Sequence, residues 1–294
     1  MPYSIARAPR HDFRLVRGLR HRLTWWGAPS AAPIVLLHGF MDCGATWQFL
    51  VDHLPQSWSC VAPDWRGFGG SDWAPGGYWF PDYLADLDEL LDSLVPDAPA
   101  RIIGHSMGAN IAALYAGVRP RRLQWLINLE GVGLPRTAPE AAPARYEQWL
   151  QELRQPTRPG RYAGAAELAR VLQRRNPRLP AAHAAFVANA WTRPVGEGEV
   201  ELRLDPRHRL VNPVLYRLEE AHACWSRIEI PLLLITGAES QHNARRYGEL
   251  PDEQLHTLLR DLRIVELAGV GHMMHHEDPL AVAATIREFV RGQP

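Results

Sequence analysis

Residues 101–108 read Arg-Ile-Ile-Gly-His-Ser-Met-Gly, and residues 109–118 continue Ala-Asn-Ile-Ala-Ala-Leu-Tyr-Ala-Gly-Val. The apolar run Arg101–Ile103 reads as a short buried strand and Ala109–Val118 as a helix. Between them the chain must reverse within Gly104-His105-Ser106-Met107-Gly108. So tight a turn tolerates only small residues at the two glycine positions. A G-x-S-x-G in this context lifts its serine hydroxyl out at the C-terminal edge of a sheet. Ser106 is therefore the candidate nucleophile. The backbone N–H of Met107, just behind it, is a candidate donor to a developing oxyanion.

Outward from this turn, short apolar runs alternate with longer helical patterns, the signature of an α/β fold with a mainly parallel sheet. Candidate strands are Phe13–Arg17, Arg20–Trp25, Pro33–Leu37, Ser59–Ala62, Arg101–Ile103, Gln124–Leu129, Leu232–Thr236 and Arg263–Leu267. Eight strands suit one twisted sheet. Leu84, Leu87, Leu90, Leu91 and Leu94 fall at helical spacing, and Asp82, Asp86, Asp88 and Asp92 are expected on the solvated face. From Leu134 to Ser226 no strand-like run appears, and helical segments built on Tyr146, Trp149, Leu150 and Leu153, on Leu168, Val171 and Leu172, and on Val214–Trp225 take over. The expected organisation is a core of residues 1–134 and 226–294 with a helical insertion of residues 135–225.

A serine hydroxyl needs a base, and chain order places the histidine after the acid, near the C-terminus. Gly271-His272 follows the last candidate strand and precedes a helix opened by Pro279. His272 is the expected general base. His275 and His276 lie three and four residues on, but no carboxylate or cysteine set accompanies them at a ligand spacing, so no metal is expected. His38-Gly39-Phe40-Met41 follows another strand, and its glycine lets a following N–H, that of Phe40, join Met107 N–H as the second oxyanion donor. His38 reads as a hydrogen-bonding residue of that turn. Asp64-Trp-Arg-Gly-Phe-Gly-Gly-Ser-Asp72 lacks the G-x-G-x-x-G pattern, so Arg66 and Asp72 are read as loop-fixing residues.

Composition narrows the chemistry. The chain has 294 residues, 46% hydrophobic and 22% charged, enough to bury a large core. Its 32 basic residues are all arginine, balancing 32 acids. Without lysine there is no Schiff base, no lysine phosphate loop and no Ser-Lys dyad, because arginine stays protonated. Zero net charge argues against a nucleic-acid or anionic-membrane partner. Neutrality hides a polarity, since residues 135–225 hold 14 arginines against 10 acids. An electrostatic docking of this segment on the acidic remainder is the preferred reading of that imbalance. Cys43, Cys60 and Cys224 form no C-x-x-C pair, and no apolar run near the start suits a secretory signal or a membrane span. A cytoplasmic protein is the expectation, and oligomeric state has no sequence signature here.

Taken in order, H-G-F, D-W-R-G-F-G-G-S-D, G-H-S-M-G and G-H-M-M-H-H-E-D-P resemble the α/β-hydrolase superfamily, in particular its capped serine hydrolases. The resemblance spans roughly residues 13–134 and 226–294. It implies a serine hydrolase with a helical cap after the sixth strand. Leu172-Gln-Arg-Arg-Asn-Pro-Arg-Leu179 is similar to a stretch of the animal serine hydrolase-like (kraken-type) proteins.

The pattern departs at the acid. Most members carry it after strand seven as G-x-x-D, whereas here Gly237-Ala238-Glu239-Ser240 places a serine there. The superfamily's other location is the end of strand six, where Glu130 stands in Asn128-Leu129-Glu130-Gly131. Its distance from Ser106 along the chain matches the nucleophile-to-acid spacing of haloalkane dehalogenases. Glu130 and Glu239 both fit the order Ser, acid, His, with Glu130 preferred. Dehalogenases of this fold use an aspartate nucleophile, since a serine would form an unreactive ether. Ser106 instead implies acyl transfer to water on a small-molecule acyl substrate, without cofactor or metal. Carbon–carbon bond hydrolysis of a β-diketone-like compound and a catalytically weakened binding protein are the alternatives.

Overall fold

The computed structural model describes residues 2–155, 157–243 and 250–293. The main sheet is formed by β1 (Arg10–Val16), β2 (Leu19–Trp26), β3 (Ile34–Leu37), β4 (Cys60–Pro63), β5 (Ala100–His105), β6 (Leu123–Leu129), β7 (Leu232–Gly237) and β8 (Leu262–Leu267). Their spatial order is β1-β2-β4-β3-β5-β6-β7-β8. All eight strand expectations fall on these strands. β2 runs antiparallel to β1 and β4, and every pairing from β4 to β8 is parallel.

The central strands are short apolar runs because both faces of a parallel sheet are covered. Successive residues serve opposite faces. Val35 and Leu37, Ile102, Leu126, Leu232 and Leu234 pack on one side, against α1 (Phe80–Leu94) and α2 (Met107–Val118). Ile34 and Leu36, Ile103, Ile127, Leu233 and Ile235 pack on the other, with Trp47 and with Ile286 and Phe289 of the C-terminal helix Pro279–Arg291.

Between β6 and β7 lie α3 (Ala142–Glu152), α4 (Ala165–Arg175), α5 (Ala181–Trp191) and α6 (Leu218–Trp225). α5, rich in alanine, has no marked apolar stripe and escaped the sequence reading. The reading also expected no strand here, yet Arg161–Tyr162, Val200–Leu202 and Thr192–Pro194 pair as a small antiparallel sheet. Strands of two or three residues are too short to show alternation. The glycine-rich loop docks on this segment, with Gly69 N–H donating to Arg203 O at 2.9 Å and Asp205 N–H to Gly67 O at 2.9 Å.

One aspartate departs from expectation. Asp86 is fully buried rather than solvated, because Arg66 reaches it through Nε at 2.6 Å and through Nη2. Arg66 thus fixes its loop as expected, and Asp72 does so by accepting Arg20 N–H at 2.9 Å.

α2 and α6 meet at Gly117, where an added Cβ would lie 1.9 Å from Cys224 O. Alanine gains up to about 1 kcal/mol of helix propensity over glycine, but overpacking against rigid backbone costs about 1–3 kcal/mol or more. Steric cost wins. Gly117→Ala is expected to lower the thermal unfolding midpoint by roughly 2–6 °C, whereas Gly76→Ala, with no atom within 4 Å, should leave it unchanged. Equal midpoints for both would contradict this helix packing.

Candidate active site

In a parallel sheet the strands end together, and here the C-terminal ends of β3, β5, β6, β7 and β8 carry the candidate residues on one edge. Ser106 follows β5 with φ 49° and ψ −113°, a conformation side-chain-bearing residues seldom adopt. Its N–H donates to Leu129 O at 2.9 Å, tying the turn to β6. A Cβ on Gly108 would meet Leu37 O at 2.3 Å, and one on Gly104 would meet Ala109 N at 2.7 Å, which accounts for both glycines of the turn.

Glu130 directly follows β6, also at positive φ, 52°. This turns its side chain over the end of β7, where it is 6% exposed. Its carboxylate accepts Gly237 N–H at 2.7 Å, Ser240 Oγ–H at 2.6 Å and His272 Nδ1–H at 2.7 Å. Burial pushes this carboxyl up, and the donors from His272, Ser240 and Gly237 outweigh it, so Glu130 lies below the usual glutamate range. Glu239 is exposed and does not take this place. Of the two carboxylates the sequence leaves open, the fold brings Glu130 to the histidine.

His272 thereby has Nδ1 committed and Nε2 as its remaining ring nitrogen. Its backbone carbonyl accepts from His105 Nε2–H at 2.9 Å, and the two rings lie 4.7 Å apart. His105 is held well below the usual histidine range by burial and by His275 and His272, which keeps it a neutral donor. On the β3 side, a Cβ on Gly39 would sit 3.2 Å from Ser106 Cβ, so the His38–Met41 turn lies against the serine. Among the described residues, no hydrogen bond of the fold uses the N–H groups of Phe40 and Met107. His38 is buried, donates through Nδ1 to Gly39 O at 2.8 Å and accepts Trp65 N–H at Nε2, 2.9 Å. Both ring nitrogens are committed, one within the turn and one to the loop after β4.

A family model described as the alpha/beta hydrolase fold matches residues 32–279. The chain belongs to that family. A serine hydrolase-like protein of Danio rerio is 27% identical over 91% of this chain and 84% of its own length. The thioesterase domain from the curacin biosynthetic pathway superposes with a TM-score of 0.84 and 26% identity, covering 96% of this chain and 99% of that one. An esterase of Mycobacterium tuberculosis shares the fold, at TM-score 0.75 and 18% identity, over 96% of this chain and 92% of its own. No helix among the described residues is long and apolar enough to cross a membrane.

Three features of this α/β-hydrolase chain lie outside the sequence reading. Ser240, in the usual acid position, donates to the carboxylate instead. Asn128 clamps the Glu130 turn, accepting Gly131 N–H at 2.6 Å and donating to Gly131 O at 2.8 Å. The third is a carboxylate for the histidine pair. Asp42, from the β3 turn, lies with Oδ2 3.5 Å from Nε2 of both His275 and His276, all three buried. That set has the composition of a three-ligand transition-metal site. However, His275 Nδ1 has no acceptor, whereas metal-bound imidazoles are oriented by one. Burial raises the Asp42 carboxyl, and His276 and His275 more than offset it, so the residue is ionised. Asp42 Oδ1 is saturated by Cys43 N–H, Thr46 Oγ1 and Trp191 Nε1 at 2.7–2.9 Å. These contacts join the β3 turn to the histidine segment in a buried cluster, in which burial holds His276 down at about 3.

Because Glu130 titrates lower folded than in the unfolded chain, where about 4.5 applies, it stabilises fully above that pH and less as pH falls through its folded value. Wild type should lose stability to urea more steeply below pH 4.5 than Glu130→Gln, and their gap should narrow. Parallel pH profiles of the two urea midpoints would contradict an ionised, hydrogen-bonded Glu130.

Proposed function

We propose that this chain hydrolyses carboxylic esters or related acyl compounds through an acyl-enzyme on Ser106. The observation that carries this reading is the 2.7 Å hydrogen bond from His272 Nδ1 to Glu130 at the sheet edge that bears Ser106. It commits Nδ1 as the protonated nitrogen and leaves Nε2 to act as a base toward the serine. In the first step Ser106 Oγ attacks the acyl carbon while His272 Nε2 accepts its proton. The oxyanion so formed is held by the N–H groups of Phe40 and Met107. Collapse breaks the bond to the leaving group, which takes the proton from His272. Water, deprotonated by His272, then releases the acid and restores Ser106.

In this reading residues 1–134 and 226–294 are the catalytic core and 135–225 the cap. Beneath the cap, Phe68, Trp191, Leu202 and Leu204 enclose, with Asp42 and Cys43, a hollow that has room for about one water and does not reach Ser106. Trp225 is 2% exposed and serves core packing. The thioesterase likeness keeps thioesters within the substrate class. A weakened binding protein is disfavoured because Glu130 supplies the anion that position 240 lacks.

Turnover of a p-nitrophenyl acyl series and labelling of Ser106 by a fluorophosphonate test the proposal. Ser106→Ala should abolish both. Glu130→Gln should lower kcat/KM by about 10²–10⁴-fold through loss of the correct tautomer, while Glu239→Gln stays within about threefold of wild type. Absence of both turnover and labelling in the wild-type protein would overturn the assignment.

A further inference from the structure

The Leu172–Leu179 stretch, singled out in the sequence, forms the end of α4 and the link to α5. From it Asn176 Nδ2 donates to Glu277 Oε1 at 2.7 Å, and Arg178 Nε donates to Glu277 Oε2 at 2.9 Å. Glu277 belongs to the other part of the chain, and its side chain is only 2% exposed. The same Oε2 accepts the N–H of Gly271, at 2.7 Å, one residue before His272. One buried carboxylate therefore joins the base-bearing turn to two side chains of the inserted segment. The contact is close: a Cβ on Gly271 would lie 2.5 Å from Arg178 Nη2. Beyond that stretch, His183 of α5 donates through Nδ1 to His276 O at 2.7 Å. The inserted segment thus holds residues 276 and 277 directly, and Gly271 through the Glu277 carboxylate.

We infer that Asn176 and Arg178 are positioning residues which, through Glu277, set the placement of His272, so that seating of the inserted segment and alignment of the base are a single event. This rests on His272 being the base. Glu130 fixes the ring by its Nδ1, but a ring is aimed only as well as its backbone is held, and Gly271 has no side chain with which to hold itself. With Arg178 lifted away, Glu277 is a buried carboxylate short of its cation, and it must turn toward solvent or draw Gly271 with it. Either movement displaces His272 relative to Ser106. Opening of the inserted segment to admit substrate would then switch the base off until the segment reseats.

The test uses Asn176→Ala, Arg178→Ala and Arg178→Lys in the full chain, with Arg145→Ala as control, an arginine of the same segment whose Nε bonds Asn212 O instead. For p-nitrophenyl acetate, kcat and fluorophosphonate labelling of Ser106 should fall by about 10–100-fold in the two alanine variants, the range a small misplacement of a reacting group produces. KM should stay within about threefold, and the Asn176 and Arg178 effects should be non-additive because both act on Glu277. Millimolar guanidinium should restore part of the Arg178→Ala rate where equal sodium chloride does not. A readout independent of turnover is the downfield proton resonance of His272 Nδ1–H against Glu130, which should broaden or vanish in both alanine variants and persist in Arg145→Ala. Unchanged kcat and an unchanged resonance, with only a lower unfolding midpoint, would make the contact a structural brace and overturn the inference. A wild-type protein that neither turns over nor labels would overturn the esterase reading, and the resonance would still decide whether Arg178 places His272.

Discussion

Glu130 carries a negative charge in a place that water scarcely reaches, and the sheet edge is organised around supplying its partners. The residue sits at φ 52° immediately after β6, so its side chain doubles back across β7. There it receives one donor from the last residue of β7, one from Ser240 beyond it and one from the turn after β8. Left without these, a buried carboxylate would be strongly destabilising, which makes each donor's position a condition for the others. The hydrogen bonds favour the charged form more than burial opposes it, and the charged form is what orients His272. Two strained backbones, at Ser106 and at Glu130, are tolerated side by side for that result. Each costs on the order of 1–3 kcal/mol in isolation, and the pairing of β5 with β6 holds both.

The parts of this arrangement that a linear sequence carries are those set by local chemistry. The five residues around Ser106 declare their own turn, because only glycine fits where a Cβ would meet the backbone of β3 or α2. The inner strands β3 to β7 declare themselves by short, largely apolar runs, and β1, β2 and β8 by apolar residues interspersed with charged ones. The choice between Glu130 and Glu239 is different in kind. Both stand after a strand and both precede His272, and what separates them is which way each side chain leaves the sheet edge. That depends on the register of β6 against β7, where Leu129 pairs with Ile235, and on a positive φ that nothing in Asn128-Leu129-Glu130-Gly131 announces except the Asn128 clamp on Gly131. Serine in the usual acid position could have been taken as the sign, since a hydroxyl there has an obvious use once the carboxylate comes from the neighbouring strand.

Non-local pairing also explains the remaining surprises. Asp86 follows the spacing of the solvated aspartates of its helix, and Arg66 and Arg17, arriving from two other loops, draw it into the core. Asp42 and the pair His275 and His276 stand more than 230 residues apart in sequence, yet share one buried cluster. Sequence spacing excludes ligand sets only among neighbours along the chain, and the parallel sheet brings together strand ends that are distant in sequence.

Charge tells a related story. The excess of arginine in residues 135–225 suggests a diffuse attraction to the acidic remainder, but much of it is consumed locally. Arg193 and Arg161 share Glu201, Arg207 pairs with Asp205, and Arg217 with Glu220, all inside the segment. Arg178 with Glu277 is an ion pair that crosses to the other part of the chain, and its acid is nearly fully buried. A screened surface pair contributes little, while a buried one with further hydrogen bonds is strongly coupled to its surroundings. The polarity of the chain therefore matters at one contact more than over a whole surface. The same carboxylate holds the N–H of Gly271, the residue before His272, so in the proposed mechanism the charge that seats the inserted segment also bears on the geometry of the base. A chain with no lysine is suited to this, because Nε of a planar guanidinium can hold a carboxylate that already serves a backbone N–H, leaving the rest of the fork free to close over Gly271.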